Sequence, residues 1–149
     1  MKCDGPTSTI AECWCRLATL YANLESPAYL AIMGYLPYSD EVEAAITRLR
    51  EKVIASKHVA TTYGYGPRFL HSTGQFHKGG PAVGHFLQLV HDSDADADIP
   101  GEEFGFRTLI SAQADGDLQT LRDHGLEAVR VRLNSGDLPG SIDALGEGL

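Results

Sequence analysis

The sequence predicts a three-layer α/β/α sandwich built on a mostly parallel sheet. Two observations carry that expectation: helix-period segments alternate with short strand-like runs, and residues 29–36 are apolar throughout as in strands covered on both faces. With 149 residues and 43% hydrophobic content, a single domain over residues 1–149 buries about 70% of its unfolded surface. No repeat, low-complexity tract or long linker divides it.

The elements follow in order. Residues 11–24 place Trp14, Leu17, Ala18 and Tyr21 at helical spacing, with Pro27 just beyond. Residues 29–36, between Pro27 and Pro37, form a buried strand. The segment SDEVEAAITRLREKVIASK opens with Asp40 and Glu43 spaced as a capping box and repeats Val42, Ala45, Ile46, Leu49 and Val53 on one face of a helix. Residues 58–63 are β-branched and apolar, a second strand running into a glycine-rich loop.

The stretch GHFLQLVH alternates, with His85, Leu87, Leu89 and His91 on one face and Phe86, Gln88 and Val90 on the other. A polar loop over residues 92–103 leads to a helix over 106–124 that Gly125 ends. EAVRVRL is a fourth strand, and a short helix over 141–145 closes the chain.

Net charge −8 argues against a nucleic-acid partner, which needs a basic surface. No apolar run is long enough to span a bilayer and the start lacks a secretory h-region, so the reading is a soluble cytoplasmic protein with no membrane partner. Cys3, Cys13 and Cys15 make neither an even disulfide framework nor a metal-binding pair of pairs. Cys13 and Cys15 face different ways on a helix, and all three read as small buried thiols.

The acids are unevenly placed. Residues 52–91 contain no Asp or Glu, although the chain has 20, and they hold Lys52, Lys57, Arg68, Lys78 and five of the six histidines. A local positive field of this kind suits a small anionic ligand, while strand propensity alone also thins out acids. Within TTYGYGPRFLHSTGQFHKGGP, Gly64, Gly66, Gly74, Gly79 and Gly80 allow close backbone approach. Ser72, Thr73 and Gln75 offer neutral donors, and Arg68 and Lys78 offer charge for a phosphorylated or polyhydroxylated ligand. The spacing fits neither GxxxxGK[ST] nor GxGxxG. His71 and His77 are candidates for proton transfer near neutral pH; His85 and His91 read as half-buried strand residues.

Competing chemistries are weaker. No HxxxH or Cys/His pairing supports zinc, and Ser72 has neither a GxSxG elbow nor a neighbouring acid to orient a histidine. The loop HDSDADADIPGEE spaces Asp92, Asp94, Asp96, Asp98 and Glu103 as a calcium loop would, but Ala97 stands where such a loop needs glycine and a strand precedes it. It reads as a solvated acidic loop, and no metal or cofactor is expected.

At YGYGPRFLHSTGQFHKGGP followed by GHFLQL, the sequence resembles the carboxyl-terminal part of the glucose-6-phosphate isomerase half of bifunctional transaldolase/phosphoglucose isomerase proteins. The resemblance runs from AYLAIMGYLP through the last helix, and GPRFLHSTGQ and HKGGP are its specific part. It implies a sugar-isomerase (SIS-like) domain, an α/β/α sandwich that pairs with a second such domain around a sugar phosphate. It also implies that Lys78 lies at the sugar and stabilises the enediolate between aldose and ketose, with Gln75 and His71 as neighbouring contacts. Ala82 and Val83 depart from the polar residues expected after HKGGP. The family's catalytic glutamate and its serine/threonine phosphate loop precede the matching part and have no counterpart in this chain.

The expectation is a glucose-6-phosphate-isomerase-type domain for aldose–ketose isomerisation of a hexose phosphate, with a partial site completed by homodimerisation or by a protein supplying the other half. Its catalytic residues would be Lys78, His71 and His77, and its substrate contacts Arg68, Ser72, Thr73, Gln75 and Gly79. The alternative is a non-catalytic sugar-phosphate-binding module. A purely structural or interaction domain is a weaker third reading.

Overall fold

The computed structural model describes residues 2–3, 10–92 and 96–149. In chain order they form β1 (Lys2–Cys3), α1 (Ile10–Ala22), β2 (Tyr29–Tyr35), α2 (Asp40–Lys57), β3 (Ala60–Tyr65), α3 (Thr73–Gly79), β4 (Gly84–His91), α4 (Phe106–Asp123), β5 (Glu127–Leu133) and α5 (Leu138–Leu145). The sheet order is β1-β5-β4-β2-β3. β2 runs parallel to β3 and β4, and β4 parallel to β5, while the two-residue β1 pairs antiparallel at the β5 edge.

Alternation along the strands feeds two cores. Leu30, Ile32, Leu87, Leu89, Val129 and Val131 pack with α1, α2 and α5 on one face. Ala31, Met33, Phe86 and Val90 meet Phe69, Ala114 and Leu121 on the other, beneath α4 and the turn Arg68–Leu70. The result is the α/β/α sandwich expected from the sequence, with GHFLQLVH and EAVRVRL as strands at the predicted bounds.

Five local features differ from the sequence reading. The N-cap of α2 is Ser39, whose Oγ accepts from the Val42 N–H at 3.2 Å, not an Asp40–Glu43 box. His58 ends α2 in the left-handed region (φ 56°), so β3 starts at Ala60 instead of 58. The glycine-rich loop contains α3, and α5 begins at Leu138, where the Asp137 carboxylate accepts from Gly140 N–H at 2.8 Å. The cysteines are not uniformly buried thiols: Cys13 is buried and disulfide-bonded, and Cys15, two residues on, is an exposed free thiol. The side chain of Cys3 lies outside the described residues.

The strand order fixes where a ligand site belongs. After β2 the chain passes to α2 on the first face, and after the adjacent β4 it passes to α4 on the second. Neighbouring parallel strands whose connections leave to opposite faces open a crevice at their carboxyl ends. Among the described residues, no helix is long and apolar enough to cross a membrane.

Candidate functional site

A cleft of about 410 Å³ lies at that crevice, within the size range of small-molecule sites. Its walls include Tyr35 from the end of β2, Gly66 after β3, His91 from the end of β4, Asp96 from the acidic loop, and Arg107 and Ser111 from the first turns of α4. Arg107 and Ser111 also border an adjoining cleft of about 500 Å³ that reaches Asp92 and Arg132. The two spaces flank the amino-terminal end of α4.

Each wall has a local cause. The ring of Tyr35 stacks edge-on with Phe69 (centroids 5.8 Å apart) and lies against Gly66, where a Cβ would collide with it. That close approach is why glycine follows β3 at this point. Asp96 Oδ1 accepts from the backbone N–H groups of Ala97 (2.9 Å) and Arg107 (2.8 Å), so its carboxylate occupies the favourable end of the α4 dipole. Its Oδ2 is 3.8 Å from Arg107 Nε. His91 Nδ1 lies 3.2 Å from the Asp92 carbonyl oxygen.

Beneath the cleft, polar groups continue under α4. Gln88, fully buried on β4, donates to the Ala114 carbonyl at 3.0 Å and accepts from Arg130 Nε at 2.6 Å. Burial pushes the Tyr35 hydroxyl well above the usual phenol range; the Asp117 carboxylate adds to the rise and Arg130 opposes it. Tyr35 therefore stays a neutral donor, and among the described residues its hydroxyl has no hydrogen-bond partner.

The residues singled out from the sequence do not converge on this cleft. Arg68, His71, Ser72, Thr73 and Gln75 are exposed, before and along the first part of α3. His77, Lys78 and Gly79 close α3 at the other end. His77 is buried, its Nδ1 2.8 Å from the Tyr29 hydroxyl and its ring 5.1 Å from Phe86. Phe69, next to Arg68, packs on Tyr35 at the carboxyl end of β2, whereas His77 packs on Tyr29 at its amino end. Six residue steps along the strand separate those contacts, about 20 Å.

The acid-free interval is also not acid-free in space. Lys78 Nζ is 2.6 Å from Oδ1 of the buried Asp117 on α4, and His85 Nε2 is 3.2 Å from Glu127 on β5. The single positive patch expected from the sequence is thus divided between two ends of the sheet and partly neutralised by carboxylates from distant segments. Gly79 is exposed, with open space around the position of a Cβ.

Sequence reasoning missed the cleft residues Tyr35, Arg107 and Ser111, treated His91 only as a strand residue, and treated Asp96 as part of a solvated loop. The available signal was the tendency of ligands to bind beyond the carboxyl ends of parallel strands, which marks the end of β4 as much as the end of β3.

No protein-family model matches the chain, and no curated protein matches it. Among solved structures, it is similar to the crystal structure of a hypothetical protein, TT0462, from Thermus thermophilus, with a TM-score of 0.70 and 14% sequence identity. The match covers 88% of this chain and 36% of that one, so this chain corresponds to about a third of the solved protein. At this identity the likeness concerns the fold alone.

Proposed function

We propose that the chain is a sugar-phosphate-binding domain of the sugar-isomerase (SIS-like) type, and that it takes part in aldose–ketose isomerisation of a hexose phosphate such as glucose 6-phosphate. The observation that carries this reading is the cleft at the β2/β4 switch point, where an arginine, a serine hydroxyl and a histidine line a space of about 410 Å³. A guanidinium suits a phosphate and hydroxyls suit a polyol. The resemblance of GPRFLHSTGQFHKGGP to phosphoglucose isomerase sequences narrows the ligand class to hexose phosphates.

The cleft is one wall of a site. Exposed apolar side chains stand near it, with Phe106 47% and Ile110 37% exposed. In this reading a second copy of the chain, or a domain supplying the other isomerase half, covers that rim. The work is cytoplasmic and needs no cofactor, because an isomerisation is an internal redox exchange.

In this reading Lys78 serves the fold, not the sugar. Its ammonium is held by Asp117, and its end of α3 packs at the amino end of the sheet. That placement also favours the second reading, a module that binds the sugar phosphate without turning it over. Thermal-shift titration with glucose 6-phosphate and fructose 6-phosphate tests binding, since a ligand at 100 times its Kd stabilises by about 2.7 kcal/mol. Saturable stabilisation by both, absent with glucose, supports the proposal; no stabilisation overturns it. A coupled isomerisation assay on the same samples separates the enzyme from the module.

A further inference from the structure

We infer that β3 is the pairing edge of a homodimer, in which two copies of the chain join antiparallel about a two-fold axis at Tyr63 into one continuous sheet. The inference does not rest on the reading of the cleft. β3 ends the strand order and has β2 as its one strand neighbour among the described residues, whereas β1 pairs along part of the other edge. Open edges are normally guarded by charges, proline, bulges or a covering element. The strand ATTYGY carries no charge and no proline, and its threonines and tyrosines favour strand pairing.

The direction of the main-chain groups sets the register. Gly34 stands opposite Tyr65, and the Gly66 N–H donates to the Gly34 carbonyl at 2.8 Å. In a parallel ladder a residue bonds to the two neighbours of its opposite number, so Ala60, Thr62 and Gly64 turn their main-chain groups toward β2. Thr61, Tyr63 and Tyr65 therefore turn theirs outward. Arg50 Nη2 donates to the Thr61 carbonyl at 3.2 Å, as that direction requires. Two antiparallel copies then match with Tyr63 opposite Tyr63, exchanging both hydrogen bonds, and with Thr61 opposite Tyr65 on either side.

Charge on α2 fits the same axis. That axis stands perpendicular to the sheet, so the two α2 helices lie on one face of it. α2 connects parallel strands and so runs opposite to β3. Glu43 and Arg50 are about two turns apart and share a face of α2, and Arg50 reaches over the edge to Thr61 through Nε and Nη2. Glu43 is then level with Tyr65, whose phenol is raised by burial first and by Glu43 as well. Because Thr61 of one copy stands opposite Tyr65 of the other, Arg50 meets Glu43 across the axis, twice. Two chains of net charge −8 repel in most approaches, but residues 52–91, which include β3, hold no Asp or Glu. Hydrogen-bond pattern and charge are thus both self-complementary, which singles out a second copy as the occupant of this edge.

The test is sedimentation equilibrium of the full chain over a range of concentrations, with thermal melts to check folding. The unsubstituted chain is expected to form a dimer. Thr61→Pro deletes an outward N–H and leaves the bonds to β2 in place, and it is expected to raise the dimer Kd at least about tenfold. Glu43→Arg and Arg50→Glu each set like charges against one another across the axis, and each is expected to stay monomeric where the unsubstituted chain pairs. Mixed in equal amounts, those two variants restore both ion pairs and are expected to form a heterodimer, which a folding defect in either would not allow. A monomeric unsubstituted chain overturns the inference. A dimer that all three substitutions leave intact overturns it too and moves the contact to another surface. A mixture of the two charge variants that stays monomeric overturns the register.

Discussion

Lys78 Nζ and Asp117 Oδ1 lie 2.6 Å apart, joining the end of α3 to the middle of α4 with the carboxylate almost wholly buried. Removing one member of such a pair strands the other charge, typically at 3–5 kcal/mol. Lys78→Met is therefore expected to lower unfolding free energy by about 3 kcal/mol, read from urea denaturation. Lys78→Met with Asp117→Leu is expected to recover most of it. A poised electrophilic lysine would give the reverse pattern, unchanged stability with lost turnover.

His77 supplies a pH dependence. Burial lowers its pKa from the ordinary imidazole value; the Asp117 carboxylate pulls it back up, and Lys78 lowers it further. The unfolded chain, with an imidazole pKa of about 6.5, then binds a proton that the folded chain resists. Stability is full above that value and falls as pH drops through it, levelling below the folded pKa. Urea midpoints at several pH values, compared with His77→Gln, check this: the substitution is expected to flatten that part of the profile.

Gly66 tests the shape of the cleft. A methyl group there would collide with the Tyr35 ring, so Gly66→Ala is expected to cost about 1–3 kcal/mol from overpacking and to weaken hexose-phosphate binding. Gly79→Ala, which meets open space, is expected to leave binding unchanged. Thermal melts with and without ligand separate the two.

The Asp96 carboxylate sits beside Arg107 in the cleft wall. A bound phosphate would meet its negative charge, so Asp96→Asn is expected to tighten phosphate-ester binding by up to about tenfold. The same change weakens the charge at the amino end of α4 and is expected to lower the melting temperature slightly. Calorimetry and a melt on one preparation read both.

Ser39 provides a control away from the chemistry. Ser39→Ala removes the α2 cap and is expected to cost about 1 kcal/mol without altering ligand affinity, by denaturation and calorimetry.

The layers were legible in the sequence because period decides them. GHFLQLVH and EAVRVRL alternate over seven or eight residues, and Val42, Ala45, Ile46, Leu49 and Val53 hold one helical face, so local pattern and packing agree. α3 escaped notice because Gly74 and Gly79 weaken helix propensity over only seven residues. What holds it is tertiary: Gly74 lies close to the Phe69 carbonyl, and His77 reaches Tyr29. β1 is too short to have a period. The site was less legible, since Lys78 finds its carboxylate 39 positions away and the β2/β4 crevice exists only once strand order is known. A stretch without acids in sequence says nothing of which acids fold against it.

The most direct measurement is a backbone-amide NMR titration of the chain with glucose 6-phosphate. A ligand in the switch-point cleft is expected to shift Gly66, His91, Arg107 and Ser111 and to leave His77, Lys78 and Gly79 unmoved. Perturbation centred on His77 to Gly79, or none anywhere at saturating sugar phosphate, would contradict it.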